Sequence, residues 1–157
     1  MAEKDRTITL LVNNRPDVLA RIAGTFSGRG FNIENISANI TLNPDITKII
    51  IVTTGDHATV TKIKNQLKKI VDVRDVSYLK IKKSVQREMI LAKITTTDDT
   101  RQQVGAALEE VKGRIISEES DTLIVEVTGK KDEITAALLR LEPLGMVDFT
   151  RSGKIAL

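Results

Sequence analysis

ITLLVNNRPDVLARIAGTFSGRGFNIENISANITL, residues 8–42, changes its apolar period twice. Ile8, Leu10, Leu11 and Val12 form a short apolar run that reads as a strand, whereas Val18, Leu19, Ile22, Ala23 and Phe26 recur at the intervals of one helix face. Ile36, Ala38, Ile40 and Leu42 then alternate with Asn35, Ser37, Asn39 and Thr41, the period of a strand with one buried side. Strand, helix, strand opens an α+β reading that the rest of the chain extends.

Outward from that stretch, Asn43, Pro44 and Asp45 supply a turn, and Ile49 to Val52 make the next strand. Gly55 and Asp56 end it and cap a helix whose Val60, Ile63 and Leu67 point inward. A fourth strand is expected from about Val71 to Ile81. The second half repeats the order. Met89 to Ile94 is a strand, Val104, Leu108 and Val111 mark a helix, and Arg114 to Ser117 with Leu123 to Val127 form a hairpin. Ile134, Leu138 and Leu141 mark another helix, and Met146 to Phe149 begins the last strand. Gly30 corresponds to Gly113 and Gly55 to Gly129, so the first copy is nine residues longer across its hairpin. Each copy reads as a ferredoxin-like βαββαβ unit, with two helices on one face of a four-stranded antiparallel sheet. The expected domains are residues 1–82 and 83–157. Because Ile49 to Val52 is apolar on both sides, helices on one face leave apolar surface to be covered, and a dimer is expected.

The 157 residues include no Cys and one His, so thiolate and multi-histidine metal centres are excluded. Three Phe, one Tyr and no Trp require an aliphatic core. No segment has the length of a signal peptide's apolar region or of a membrane span, and a cytoplasmic location is expected. The net charge of +3 names no partner. A basic middle, Lys62, Lys64, Lys68, Lys69, Lys80, Lys82 and Lys83, suits phosphate contacts, but the strands lack the aromatic platforms on which single-strand binders stack bases. A solvated face accounts for it better.

Residues 13–32 carry the candidate site. A carboxylate is well held at a helix start, where unpaired N–H groups and the positive end of the macrodipole converge. Pro16 stiffens the entry to the first helix, and the amides that follow could receive such an anion. An amino group needs acceptors, which the side-chain carbonyls of Asn14 and of Asn32 from a neighbouring copy could supply without adding charge. Val12, Leu19 and Ile33 could line an apolar pocket. The plainer reading makes Asn14 a turn residue, Asp17 an N-cap and Asn32 a strand-entry residue.

VNNRPDVLARIAGTFSGRGFNI resembles the start of an ACT domain, specifically that of the small, regulatory subunits of acetolactate synthase (acetohydroxyacid synthase). QLKKIVDVRDVSYL, REMILAKI, GRIISEESDTLIVEVTGK and FTRSG resemble the same family in the same order, so the likeness spans residues 5–155 and includes the second domain. It implies a non-catalytic subunit that binds and activates a large subunit and confers feedback inhibition by L-valine. Thiamine diphosphate, Mg and FAD belong to that large subunit, and no cofactor or metal to this chain. The family's effector lies between the ACT domains of a homodimer. By position, Asn14, the amides around Asp17 and Val18, and Leu19 come from one chain, with Asn32 and Ile33 from the other. The family usually has Gly where this chain has Asp17, whose carboxylate would cap the helix or repel the ligand. Where serine-sensing ACT domains carry a His, this chain has Val12, which suits an aliphatic ligand.

An enzyme reading fares poorly. Thiamine-diphosphate enzymes carry Gly-Asp-Gly followed by Asn-Asn, whereas here Asn13-Asn14 precedes Gly55-Asp56, and no Gly-rich phosphate loop or Ser-His-Asp set appears. His57 reads as a helix-entry residue, and Glu118 with Glu119 as hairpin surface. The competing reading is a free-standing ACT-domain sensor that regulates another enzyme or regulator.

Overall fold

The computed structural model describes residues 5–157. The chain packs as two compact units: the first ends at Val85 and takes in Lys154–Leu157, and the second is Gln86–Gly153.

The first unit runs β1 (Asp5–Asn13), α1 (Val18–Ser27), β2 (Asn35–Ile40), β3 (Ile46–Thr54), α2 (His57–Leu67) and β4 (Val73–Leu79). Its sheet has the order β2-β3-β1-β4, with every neighbouring pair antiparallel. Alternate residues of β1, Ile8, Leu10 and Val12, meet Val18, Ile22 and Phe26 of α1 and Val60, Ile63 and Leu67 of α2 in one core. These are the positions the periodicity picked out. Ile50 and Val52, on the other side of β3, are also buried. Asp56 caps α2 by accepting from the Thr59 amide at 2.7 Å, and these hydrogen bonds to Thr59 hold its carboxyl below the usual carboxylate range. Gly30, at φ 71°, takes the left-handed conformation that ends the turn after α1 without a Cβ penalty.

The second unit runs β5 (Gln86–Thr95), α3 (Asp98–Val111), β6 (Arg114–Glu119), β7 (Thr122–Gly129), α4 (Lys131–Leu141) and β8 (Met146–Arg151), with sheet order β6-β7-β5-β8. Ile90, Ala92 and Ile94 meet Val104 and Leu108 of α3 and Ile134 and Leu141 of α4. Both units are therefore α+β, ferredoxin-like βαββαβ folds with antiparallel sheets and helices on one face. The β6–β7 hairpin turns through Ser120, whose φ of 47° marks the tight reversal, and a register shift between Ile115 and Ser117 bends β6.

Two sequence expectations change. The fourth strand runs Val73–Leu79 rather than from Val71 to Ile81, and the apolar side of β2, Ile36, Ala38 and Ile40, is exposed rather than buried. Val71 is 89% exposed whereas Asp72 is 4% exposed, the reverse of what their hydropathy suggests. The reason lies in the loop after β1, which Asp72 holds with both its backbone and its side chain.

Candidate functional site

A register shift between Leu11 and Val12 in the β1–β4 pairing brings the end of β1 against the start of β4. There the Asn13 amide donates to the Asp72 carbonyl oxygen at 2.8 Å, and Asn13 Nδ2 donates to Asp72 Oδ1 at 2.9 Å. Arg74 Nε donates to Asn13 Oδ1 at 2.6 Å. Asn13 is thus fixed on three sides, and the loop leaves it in one direction.

Asn14 turns to the β2–β3 hairpin. Its amide donates to the Asp45 carbonyl oxygen at 2.8 Å, its Nδ2 to the Pro44 carbonyl oxygen at 2.9 Å, and its Oδ1 accepts from the Thr47 hydroxyl at 3.2 Å. The side chain remains exposed, with one further lone pair on Oδ1 and one further hydrogen on Nδ2.

Asp17 occupies the N-cap position of α1 but does not cap it. Its backbone is helical, at φ −90° and ψ −8°, and its side chain accepts nothing from the first turn. Instead its carboxylate pairs with Arg21 Nε at 3.0 Å, one turn along. The expectation that Asp17 serves as a side-chain cap is corrected: a cap side chain works from an extended backbone, and this one is helical. Arg21 also pairs with Asp72, which Arg15 approaches at 3.5 Å. Hydrogen bonds from Asn13 and then Arg21 hold the Asp72 carboxyl below its ordinary range, and the bond to Asp72 raises the Arg21 guanidinium.

Val18 and Val12 are buried in the core, so neither side chain lines a surface pocket; Val18 can contribute only its backbone. Leu19 is 43% exposed beside the loop. At the other end of the sheet, Asn32 accepts from the Thr53 hydroxyl on its carbonyl oxygen at 2.6 Å, and its Nδ2 donates to Glu34 at 2.7 Å. Ile33 is half-buried against the first core.

Within one chain the two halves of the candidate site stay apart. Asn13 pairs with Ile46 at the start of β3, whereas Thr53, the partner of Asn32, stands near its end. At strand rise that separation is about 23 Å. Asp72, Asn13 and Arg21 escaped the sequence reading because an Asp inside an apparently alternating strand looks solvated. The available signal was two arginines, Arg15 and Arg21, flanking the start of α1.

Among the described residues no helix is long and apolar enough to cross a membrane, and no group of three or more His, Asp or Glu residues is placed to hold a metal ion. Two antiparallel βαββαβ units in tandem, the first with an Asn-rich loop at its first helix, define a protein of the ACT-like class. Residues 8–75 match the model of the acetohydroxyacid synthase small subunit-like ACT domain, and residues 87–157 that of the small subunit of acetolactate synthase. A probable acetolactate synthase small subunit from Archaeoglobus fulgidus is 34% identical over 96% of this chain and 94% of its own length. The acetolactate synthase small subunit of Aquifex aeolicus is 35% identical over 96% of this chain and 79% of its own. The solved small subunit from Thermotoga maritima superposes with a TM-score of 0.91 at 29% identity, covering 98% of this chain and 96% of that one. The chain belongs to the acetolactate synthase small-subunit family.

Proposed function

We propose that this chain carries no catalysis of its own, that it binds and activates a thiamine-diphosphate-dependent acetolactate synthase large subunit in the cytoplasm, and that L-valine bound between two copies of its ACT domain, within residues 1–82, opposes that activation. Thiamine diphosphate, Mg and FAD reside in the large subunit.

The observation that carries the reading is the separation of the two half-sites along β3. β2 is an edge strand, and Ile36, Ile40 and Leu42 lie exposed along and just beyond it. Antiparallel two-fold pairing of β2 with its own copy about Ala38 would set Ile36 opposite Ile40 of the second copy, both on the helix side, and Asn32 and Ile33 beside its Asn43 and Pro44. Asn14 is hydrogen-bonded to Pro44. Two half-sites that one chain keeps apart would then meet twice, once at each end of the paired strands. The ligand's carboxylate would face the amides after Asp17 and its ammonium the Asn14 and Asn32 carbonyls, with Leu19 and Ile33 against the aliphatic side chain.

Valine that favours one arrangement of the pair must weaken the grip on the large subunit, and the large subunit must weaken valine binding by the same factor. Coupling of about 1 to 3 kcal/mol is enough for strong inhibition. The test is to add this chain to an acetolactate synthase large subunit and measure acetolactate formation with and without valine. The chain is expected to raise the rate and valine to lower it, with Asn14→Ala losing the inhibition and keeping the activation. Equal loss of both would argue against a separate effector site, and no stimulation at all would remove the reading.

A further inference from the structure

Arg21 stands between two carboxylates of different character. Asp72 is all but buried and anchored by Asn13, so it cannot follow a moving side chain. Asp17 is exposed at the mouth of the proposed effector site and accepts from Arg21 Nε at 3.0 Å. Unpaired, the Asp17 carboxylate at this place would repel a carboxylate arriving at the start of α1.

We propose that Arg21, fixed by Asp72, is a positioning residue that draws the Asp17 carboxylate away from the start of α1 and offsets its charge, keeping the helix amides open to the carboxylate of an α-amino acid. This rests on the assignment of the effector loop above. The side chain of Arg21 is partly exposed on α1, outside the core, so its replacement leaves the packing of Val18, Ile22 and Phe26 untouched. The arrangement explains how Asp17 can stand at a helix start that receives an anion.

The test is a double-mutant cycle on the full chain, read by calorimetric titration with L-valine and by melting temperature. Arg21→Gln is expected to weaken valine binding by about three- to tenfold, the scale of one uncompensated charge near a partly solvated ligand. Asp17→Ala removes the charge, so Asp17→Ala with Arg21→Gln is expected to recover to within about twofold of the parent. If the double variant binds as poorly as Arg21→Gln alone, Arg21 acts only through structure and the proposal is overturned; unchanged binding by Arg21→Gln overturns it as well. Should the parent protein itself bind no valine, the effector reading falls and this inference falls with it, an outcome distinct from intact binding without coupling.

Discussion

At the scale of single residues, the most consequential side chain is one whose type gave no hint of its role. Asp72 accepts from Asn13, pairs with Arg21 and is approached by Arg15, so a single carboxylate ties together the end of β1, the loop and α1. Its carboxyl is held below the usual range, first by Asn13 and then by Arg21. A carboxyl whose pKa is lower in the folded chain than in the unfolded one binds more protons when unfolded, so stability rises with pH across that interval. The contribution is complete above the unfolded carboxylate pKa, near ~4, and is lost as pH falls through the lowered folded value. Urea unfolding of Asp72→Asn between pH 6 and pH 2 should therefore show a flatter acid limb than the parent, with the two curves converging in acid. Asp56 is lowered in the same direction through Thr59, and Asp56→Asn, which keeps the cap but not the charge, should remove a second part of the same acid dependence.

Whole elements were far more legible in the sequence than these contacts. Helix α1 could be read because Val18, Ile22 and Phe26 recur at helix spacing and all three are buried, and β2 because its polar and apolar residues alternate. Asp56 could be read as a cap because a short acceptor beside Gly55 at the head of a periodic segment has few other uses. What escaped depends on pairing across the sheet: the register shift that sets Asn13 against Asp72 is a property of two strands together, and neither strand's own pattern contains it. The pairing of Arg21 with Asp72, far along the chain, is likewise absent from α1's own pattern. At this scale Phe26→Ala should cost about 3–5 kcal/mol in urea unfolding, since it empties the largest fully buried side chain of the first core, whereas Leu139→Ala, 66% exposed on α4, should be close to neutral. Gly145 is similarly constrained. At φ 97° it approaches Thr95 so closely that an added Cβ would fall 2.3 Å from the Thr95 carbonyl oxygen, and Gly145→Ala should cost roughly 2–3 kcal/mol by the same measurement.

For the molecule as a whole, the first sheet leaves a question that its own chain does not answer. An edge strand with exposed Ile36 and Ile40, continued by a fully exposed Leu42, is an arrangement that proteins usually blunt with charge, and β2 carries no Lys, Arg, Asp or Glu. In the proposed reading, pairing with a second β2 would cover the exposed edge and, by the same step, complete a site whose halves stand about 23 Å apart in one chain. On that proposal a single cause links assembly to effector binding, and the two are expected to fail together. Ile40→Lys places a charge on the helix side of β2, where the residue is 61% exposed, so the fold of one chain should survive. Across the proposed paired strands the lysine would lie opposite its counterpart's Ile36 and close to the second half-site, where it would interrupt the apolar seam. Sedimentation should show the variant at the 17.3 kDa of one chain where the parent sediments at twice that mass, and its valine binding should disappear while the melting curve stays cooperative. A monomeric Ile40→Lys variant that still bound valine with the parent's affinity would separate the two functions and move the effector site away from the shared edge.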